Sequence, residues 1–227
     1  MVSAYAAAMV EASAAERMER LVVEIRDCQR CGLWRTRTKS VPGEGPIDAE
    51  VLFIGEAPGV NEDKQGRPFV GAAGSFLSEL LAAANLRRED VYICNVLKSR
   101  PPGNRDPLPD EIAACKPWLD EQIAIIQPLV IVTLGRFSMS RYFPRQSISR
   151  IHGRAERVGE RFVVPMYHPA AALHQQSLRE TILEDFRALP ALIARARAEQ
   201  AARRQAEAEA AARAAPAPGA EQIRLFD

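Results

Sequence analysis

Four apolar runs, each halted by a glycine or a polar residue, constrain this chain more than any other feature. Val51-Leu52-Phe53-Ile54 empties into Gly55-Glu56-Ala57-Pro58-Gly59, and Val91-Tyr92-Ile93-Cys94 ends at Asn95. Leu129-Val130-Ile131-Val132-Thr133-Leu134 ends at Gly135, and Phe162-Val163-Val164-Pro165-Met166-Tyr167 ends at His168-Pro169. Short runs without polar alternation read as fully buried strands, and strands of that kind belong to parallel sheets covered on both faces. In an open parallel sheet, ligands bind in the crevice beyond the carboxyl ends of the strands. Glu56, Asn95 and His168 are therefore expected to converge on one pocket, which favours an enzyme.

The segments between the runs are helical in pattern. Ser13 followed by Glu16 forms a capping-box signature, and Met18, Leu21, Val22 and Ile25 share one helical face that delivers the chain to Cys28. A loop is expected from Val60 to Gly71 and a helix from about Ser75 to Ala84. A proline-rich loop, Pro101 to Pro109, precedes a helix from about Asp110 to Ile126, and Leu178, Ile182, Leu183 and Phe186 mark a closing helix. This alternation predicts an α/β fold, a three-layer α/β/α sandwich with a mainly parallel four-stranded central sheet. A flexible N-terminus over residues 1–15 is expected to lead into a domain spanning 16–193. Residues 194–227 are rich in Ala, Arg and Glu, lack large apolar residues until Ile223 and are broken at Pro216-Ala217-Pro218-Gly219, so a mobile tail is expected there.

The 227 residues suffice for one such domain, and a net charge of +1 neither announces nor excludes a nucleic-acid partner. The alanine-rich start lacks the basic residues of a signal peptide. No run approaches the roughly 20 apolar residues of a membrane span. The expectation is a cytoplasmic monomer with no membrane attachment.

Glu56-Ala57-Pro58-Gly59 with Glu62-Asp63, then Gly66-Arg67-Pro68-Phe69-Val70-Gly71, resembles the first motif of the family-4 uracil-DNA glycosylases. Asn95 through Arg105 resembles their second conserved stretch, and His168-Pro169-Ala170-Ala171-Ala172-Leu173 their third. The resemblance implies the uracil-DNA glycosylase superfamily fold, an iron-sulfur cluster, and hydrolysis of the bond between uracil and deoxyribose in DNA.

The residue chemistry is compatible with that activity. An enzyme acting on a base must extrude it into a pocket, stack it and read its Watson-Crick edge. Phe69, between glycines, suits the stacking role, although a core phenylalanine is the alternative. Asn95 offers an acceptor to uracil N3–H and a donor to O4, a pattern cytosine fails; a strand-end turn residue is the alternative. Gly55 and Ala57 belong to the same uracil-binding set by resemblance. His168 can donate a hydrogen bond to the departing uracil as a neutral imidazole, while His152 and His174 read as structural or surface residues. Glu56 can position water and offset positive charge on the sugar; an N-cap or a magnesium ligand is the alternative. Lys98, Arg100, Arg105 and Arg150, with Arg136 and Arg154, are candidates for phosphate contacts or for an ordinary solvated surface.

The cysteines are Cys28, Cys31, Cys94 and Cys115. In an intracellular setting a Cys-x-x-Cys pair with distant cysteines suggests metal, and the resemblance selects a [4Fe-4S] cluster with Cys28, Cys31 and Cys115 among its ligands. The family pattern has its third cysteine where this chain has Ser99. Cys94 lies five residues upstream, roughly 16 Å along extended chain and on the opposite face. Ser99, a shifted Cys94 or an unrelated group stay open as the fourth ligand.

Near the C-terminus, Gln222-Ile223-Arg224-Leu225-Phe226 resembles bacterial sliding-clamp-binding peptides, with Gln222, Leu225 and Phe226 as anchors; chance termination in two apolar residues, or their docking back on this protein, is the alternative.

Overall fold

The structure is a computed structural model and describes residues 12–214. Its centre is a five-stranded sheet of β1 (Val51–Gly55), β2 (Tyr92–Asn95), β3 (Val130–Leu134), β4 (Glu156–Val158) and β5 (Arg161–Met166), in the order β2-β1-β3-β5-β4. The four apolar runs pair in parallel, whereas β4 joins β5 antiparallel at the edge. The expected count of four strands is thus corrected to five. Glu156-Arg157-Val158 is exposed along its length and carries no apolar run, so nothing in its pattern announces a strand.

Alternate strand residues feed two cores. Phe53, Ile93, Val132 and Val164 pack with α3 (Ala72–Ala83), α8 (Leu178–Arg187) and the start of α9 (Leu189–Ala214). Leu52, Ile54, Tyr92, Cys94 and Ile131 pack on the other face with α1 (Ala14–Asp27) and α4 (Pro109–Ile126). Strands covered on both sides explain the absence of polar alternation, and the sheet with its two helical layers is the expected sandwich. Shorter helices α2 (Val60–Gln65), α5 (Arg136–Ser140), α6 (Ile148–Ile151) and α7 (Pro169–His174) follow strand ends or connect the layers.

The Ser13–Glu16 capping box forms as the residues predict, with Ser13 N–H donating to Glu16 Oε2 at 2.8 Å. The segment from Val60 is helical, where a loop was expected, because Glu62 reaches back to the Gly59 amide and stabilises the first turn. At the other end, where a mobile tail is expected, residues 194–214 are helical, and α9 continues to Ala214. Ile193 and Ala196 are buried, and Arg197 pairs with Glu50 at 2.5 Å. Alanine, arginine and glutamate are strong helix formers, which carries the helix beyond its packed face. Residues 215–227, including Gln222, Leu225 and Phe226, lie outside the described residues.

The chain leaves β1 for β2 on one side and places β3 on the other, so the switch in strand order falls between β1 and β3. The loops carrying Glu56, Asn95 and His168 all leave the sheet at its carboxyl edge, where such a switch opens a crevice.

Candidate active site

Glu56, Ala57, Phe69, Asn95 and His168 line a single cleft of about 550 Å³ at that edge. The segments after β1 and β2 remain zipped together beyond the sheet: Val96 N–H donates to Gly55 O and Leu97 N–H to Glu56 O, both at 3.0 Å. Gly55 lies directly against Asn95 and Phe69. A Cβ there would meet Asn95 Oδ1 at 2.3 Å and Phe69 Cζ at 2.7 Å, so only glycine lets these two side chains approach.

Asn95 is 1% exposed, and its Oδ1 is buried without a hydrogen-bond partner. A buried orphaned acceptor costs about 1–3 kcal/mol, and one carried by a residue of the cleft wall suits a donor on an incoming molecule. The backbone beneath it is fixed by Lys98, whose Nζ donates to Asn95 O at 2.8 Å and to Gln122 Oε1 at 2.6 Å. Lys98 is 2% exposed, which corrects its expected place among the DNA-contacting residues. Its side chain turns inward, where two oxygen acceptors replace its hydration.

Phe69 adopts a left-handed backbone, φ 51°, that a non-glycine residue enters only when its surroundings over-determine it. Those surroundings are two charged clamps. Glu62 accepts from Val70 N–H at 2.8 Å and Gly71 N–H at 2.9 Å, while its other oxygen holds Gly59 N–H at 3.1 Å. One carboxylate thereby joins the two halves of the first motif. On the other side Arg88 donates to the carbonyls of Pro68 and Phe69, and is held by Glu44 at 2.8 Å. A Cβ at Gly74 would stand 1.9 Å from Phe69 O, so α3 can run beneath this turn only with glycine there. The Phe69 ring lies beside His168, centroids 5.5 Å apart.

His168 caps α7, accepting from Ala170 N–H through Nδ1 at 3.1 Å. That bond leaves the proton of the neutral ring on Nε2. Burial pushes its pKa down to about 4, so the imidazole is neutral and a donor at neutral pH. Glu56 is shifted the other way: burial raises its carboxyl above the ordinary range, Asp106 raises it further, and Arg136 opposes both. Asp106 and Arg136 are themselves an ion pair. The cleft therefore holds a carboxylate, a neutral imidazole donor, an unmatched amide oxygen and an aromatic face.

The other expected cations are distributed unevenly. Arg105 reaches the cleft, but its guanidinium is bound to Glu111 at 2.6 Å, which pins the Pro101 loop to the start of α4. Arg100 donates to Asn104 at 2.7 Å, and Arg150 is exposed on α6. His152 is bonded to Asp185 at 2.8 Å, the structural role expected of it, while His174 lies on the cleft wall. Sequence reasoning missed Glu62 as the tie between loops, and also Arg88, Asp106 and Gln122. The i, i+3 spacing from Gly59 to Glu62 was a usable signal for the first of these.

A second, smaller cavity lies between α1, α4 and the segment after β2. Cys28, Cys31, Cys115 and Ser99 all line it, and Cys94 does not. Cys28 Sγ accepts from Trp118 Nε1 at 3.3 Å, and Cys115 Sγ from Lys98 N–H at 3.2 Å. Burial raises the Cys31 thiol and pushes Cys115 up to about 11. Among the described residues, no three His, Cys, Asp or Glu side chains form a group that could hold a metal ion.

Residues 42–188 match the sequence profile described as the uracil DNA glycosylase superfamily. A type-4 uracil-DNA glycosylase of Archaeoglobus fulgidus is 49% identical over 181 residues, covering 76% of this chain and 91% of the relative. Enzymes bearing the same name are 48% identical in Sulfurisphaera tokodaii, covering 76% of this chain and 83% of the relative, and 47% identical in Thermotoga maritima, covering 75% and 91%.

Proposed function

The chain belongs to the uracil DNA glycosylase superfamily, and from that premise we propose that it excises uracil from DNA in base-excision repair. The observation that carries the reading is one cleft uniting an ionisable carboxylate, a neutral histidine donor and a buried amide oxygen with no partner. Uracil turned out of the stack lies against Phe69, with Gly55 and Ala57 at its side, and its N3–H satisfies Asn95 Oδ1. Cytosine has no proton at that position and presents an amino group where uracil presents O4, so it leaves the amide mismatched.

The C1′–N1 bond breaks with its electron pair passing to the base. His168 Nε2–H donates to O2 of the departing uracil anion, which requires only the neutral ring. Glu56 as carboxylate offsets positive charge growing on the sugar and orients the water whose oxygen joins C1′; the water's proton passes to the carboxylate or to solvent. Free uracil and an abasic site result, with the strand intact, because among the described residues no lysine lines the cleft as a Schiff-base nucleophile. Arg105 on the cleft wall, with Arg100 and the exposed Arg150, is assigned to flanking phosphates.

The second cavity suits a [4Fe-4S] cluster held by Cys28, Cys31 and Cys115, since it offers three thiols, two of them already receiving N–H donors. The cluster supplies a structural cross-link there, because glycosidic hydrolysis moves no electrons between centres. These residues tie the end of α1 to α4 and to the strand segment that carries Asn95.

The C-terminal Gln222, Leu225 and Phe226 are assigned to a bacterial sliding clamp, which would bring a monomeric enzyme to newly copied DNA. Loss of clamp binding on deleting residues 222–227, with excision from short oligonucleotides unchanged, tests that part. A cytoplasmic location is proposed from the DNA substrate; among the described residues no helix is long and apolar enough to cross a membrane.

The deciding experiment uses single-stranded and duplex oligonucleotides carrying one uracil. Release of free uracil with an alkali-labile, unbroken strand is expected. Absence of uracil release would leave a binding module of this fold, and a borohydride-trapped adduct would overturn the simple hydrolytic course.

A further inference from the structure

We propose that Ser99 supplies the fourth protein ligand of the cysteine cavity through its hydroxyl oxygen, and that Arg37 orients it, so that one iron is bound by oxygen. The inference rests on the cluster assignment above.

Three cysteines and Ser99 face the same space, and Ser99 is 5% exposed. Of the other polar side chains around that cavity, Lys98 is turned toward Asn95 O and Gln122, and Arg30 lies over the Trp118 ring at 3.9 Å. Both are cations and cannot ligate iron. Cys94 is fully buried in β2, paired in register with Ile54, and a Cβ at Gly43 would approach it to 2.9 Å. It is packed in the core beneath the sheet and does not line the cavity.

Ser99 is also held as a ligand is held. Arg37 Nη1 donates to Ser99 Oγ at 3.0 Å, while Nη2 donates to Arg26 O at 2.7 Å, which fixes the guanidinium against the last turn of α1. A hydroxyl oxygen has two lone pairs, so accepting from Arg37 leaves one for a metal. Each of the three contacts matches a thiol or hydroxyl with one donor: Trp118 at Cys28, the Lys98 amide at Cys115, and Arg37 at Ser99. Such donors orient ligands and tune the metal they hold. When Ser99 binds, its O–H bond breaks, the proton leaves to solvent and an Fe–O bond forms with no change in oxidation state; the neighbouring guanidinium favours the anionic oxygen. Oxygen is a harder ligand than thiolate, so this iron is the one most readily lost.

The test uses the full chain purified anaerobically, with iron and acid-labile sulfide counted and EPR and Mössbauer spectra recorded. Ser99→Ala should lose about a quarter of its iron and give a three-iron EPR signal on brief oxidation. Ser99→Cys should retain its iron and hold its absorbance in air for roughly ten-fold longer than the parent, and Arg37→Gln should shorten that lifetime by roughly ten-fold, with Arg37→Lys in between. Cys94→Ala should match the parent in iron and spectra. Unchanged iron and spectra in Ser99→Ala would overturn the inference while leaving the cluster standing, as would iron loss confined to Cys94→Ala. A folded parent without iron or sulfide would remove the cluster assignment itself.

Discussion

The cleft and the cysteine cavity are fed by one short stretch of chain, Asn95 to Ser99, yet they are organised on opposite principles. The cleft is complete without a ligand. Its loops are locked by Glu62 and Arg88, its histidine has a fixed tautomer, and its one orphaned atom, Asn95 Oδ1, waits for a base. The cavity draws its walls from α1, α4 and the strand segment, with Cys115 buried and Cys28 and Cys31 half-buried, and the cluster proposed for it would complete those walls. Chemistry demands groups placed in advance, since reorganisation at the moment of reaction is what a preorganised site avoids. A cross-link can be assembled together with the fold.

The contrast breaks most sharply if one region can be damaged without the other. Glu56→Gln and His168→Ala should each slow the single-turnover step by about 10²–10³-fold, with iron content and DNA affinity near the parent's. Cys115→Ala should instead lower the thermal midpoint and the iron content. If a folded, iron-depleted protein lost the chemical step as deeply as Glu56→Gln, the two regions would be one device.

Base choice comes next in size. Asn95→Asp should reduce the preference for uracil over cytosine by about 10²-fold or more, read as the ratio of kcat/KM on paired substrates. An unchanged ratio would remove Asn95 from the base edge. Glu62→Ala should cost about ten-fold to a hundred-fold in kcat by releasing Phe69, and Glu62→Gln, which keeps an acceptor, should recover part of it. Equal loss in both variants would show that the charge, not the tie between loops, is what matters.

A smaller effect concerns pH. His168 titrates near 4, so the fall of activity on acidification belongs to Glu56, whose protonated form can neither orient water as a base nor offset the sugar's charge. Asp106 raises the Glu56 pKa and Arg136 lowers it. Asp106→Asn should therefore move the acid limb of kcat/KM to lower pH and Arg136→Gln to higher pH, each by about one unit or less. Movement of both in one direction would assign the limb elsewhere. The same burial makes ionised Glu56 a liability to the fold. Its contribution to stability declines as pH rises from the ordinary carboxyl range through its raised value, so Glu56→Gln should be more stable than the parent at neutral pH. The smallest effect is on salt dependence. Lys98→Met should leave the salt slope of DNA binding unchanged, because that amine is committed to Asn95 O and Gln122.

The strands and their order of use were legible in the sequence because burial on both faces writes an uninterrupted apolar run. The sheet edge was not: Glu156-Arg157-Val158 is exposed, and its pairing depends on β5 lying beside it. The helix over residues 194–214 escaped because the pattern of a packed face stops near Ala196, while helix propensity and ion pairs to the body carry it on. Within the site, Glu56, Phe69, Asn95 and His168 could be named from strand ends and motif positions. Lys98 was misplaced because a lysine beside Arg100 and Arg105 reads as part of a basic loop, and only the fold shows Gln122 of α4 waiting for it. Ser99 was visible as a departure, but its partner Arg37 lies far away in sequence and meets it only in the folded chain.

Asn95 Oδ1 carries one more consequence, for turnover. An acceptor that no protein donor satisfies regains its lost hydrogen bond from any uracil in the cleft, whether or not a sugar is still attached. After the bond is cut, the free base presents the same N3–H edge, so the group that selects the substrate also retains the product. The liberated base is thereby a competitor of the next substrate, held by the same contact that selects it.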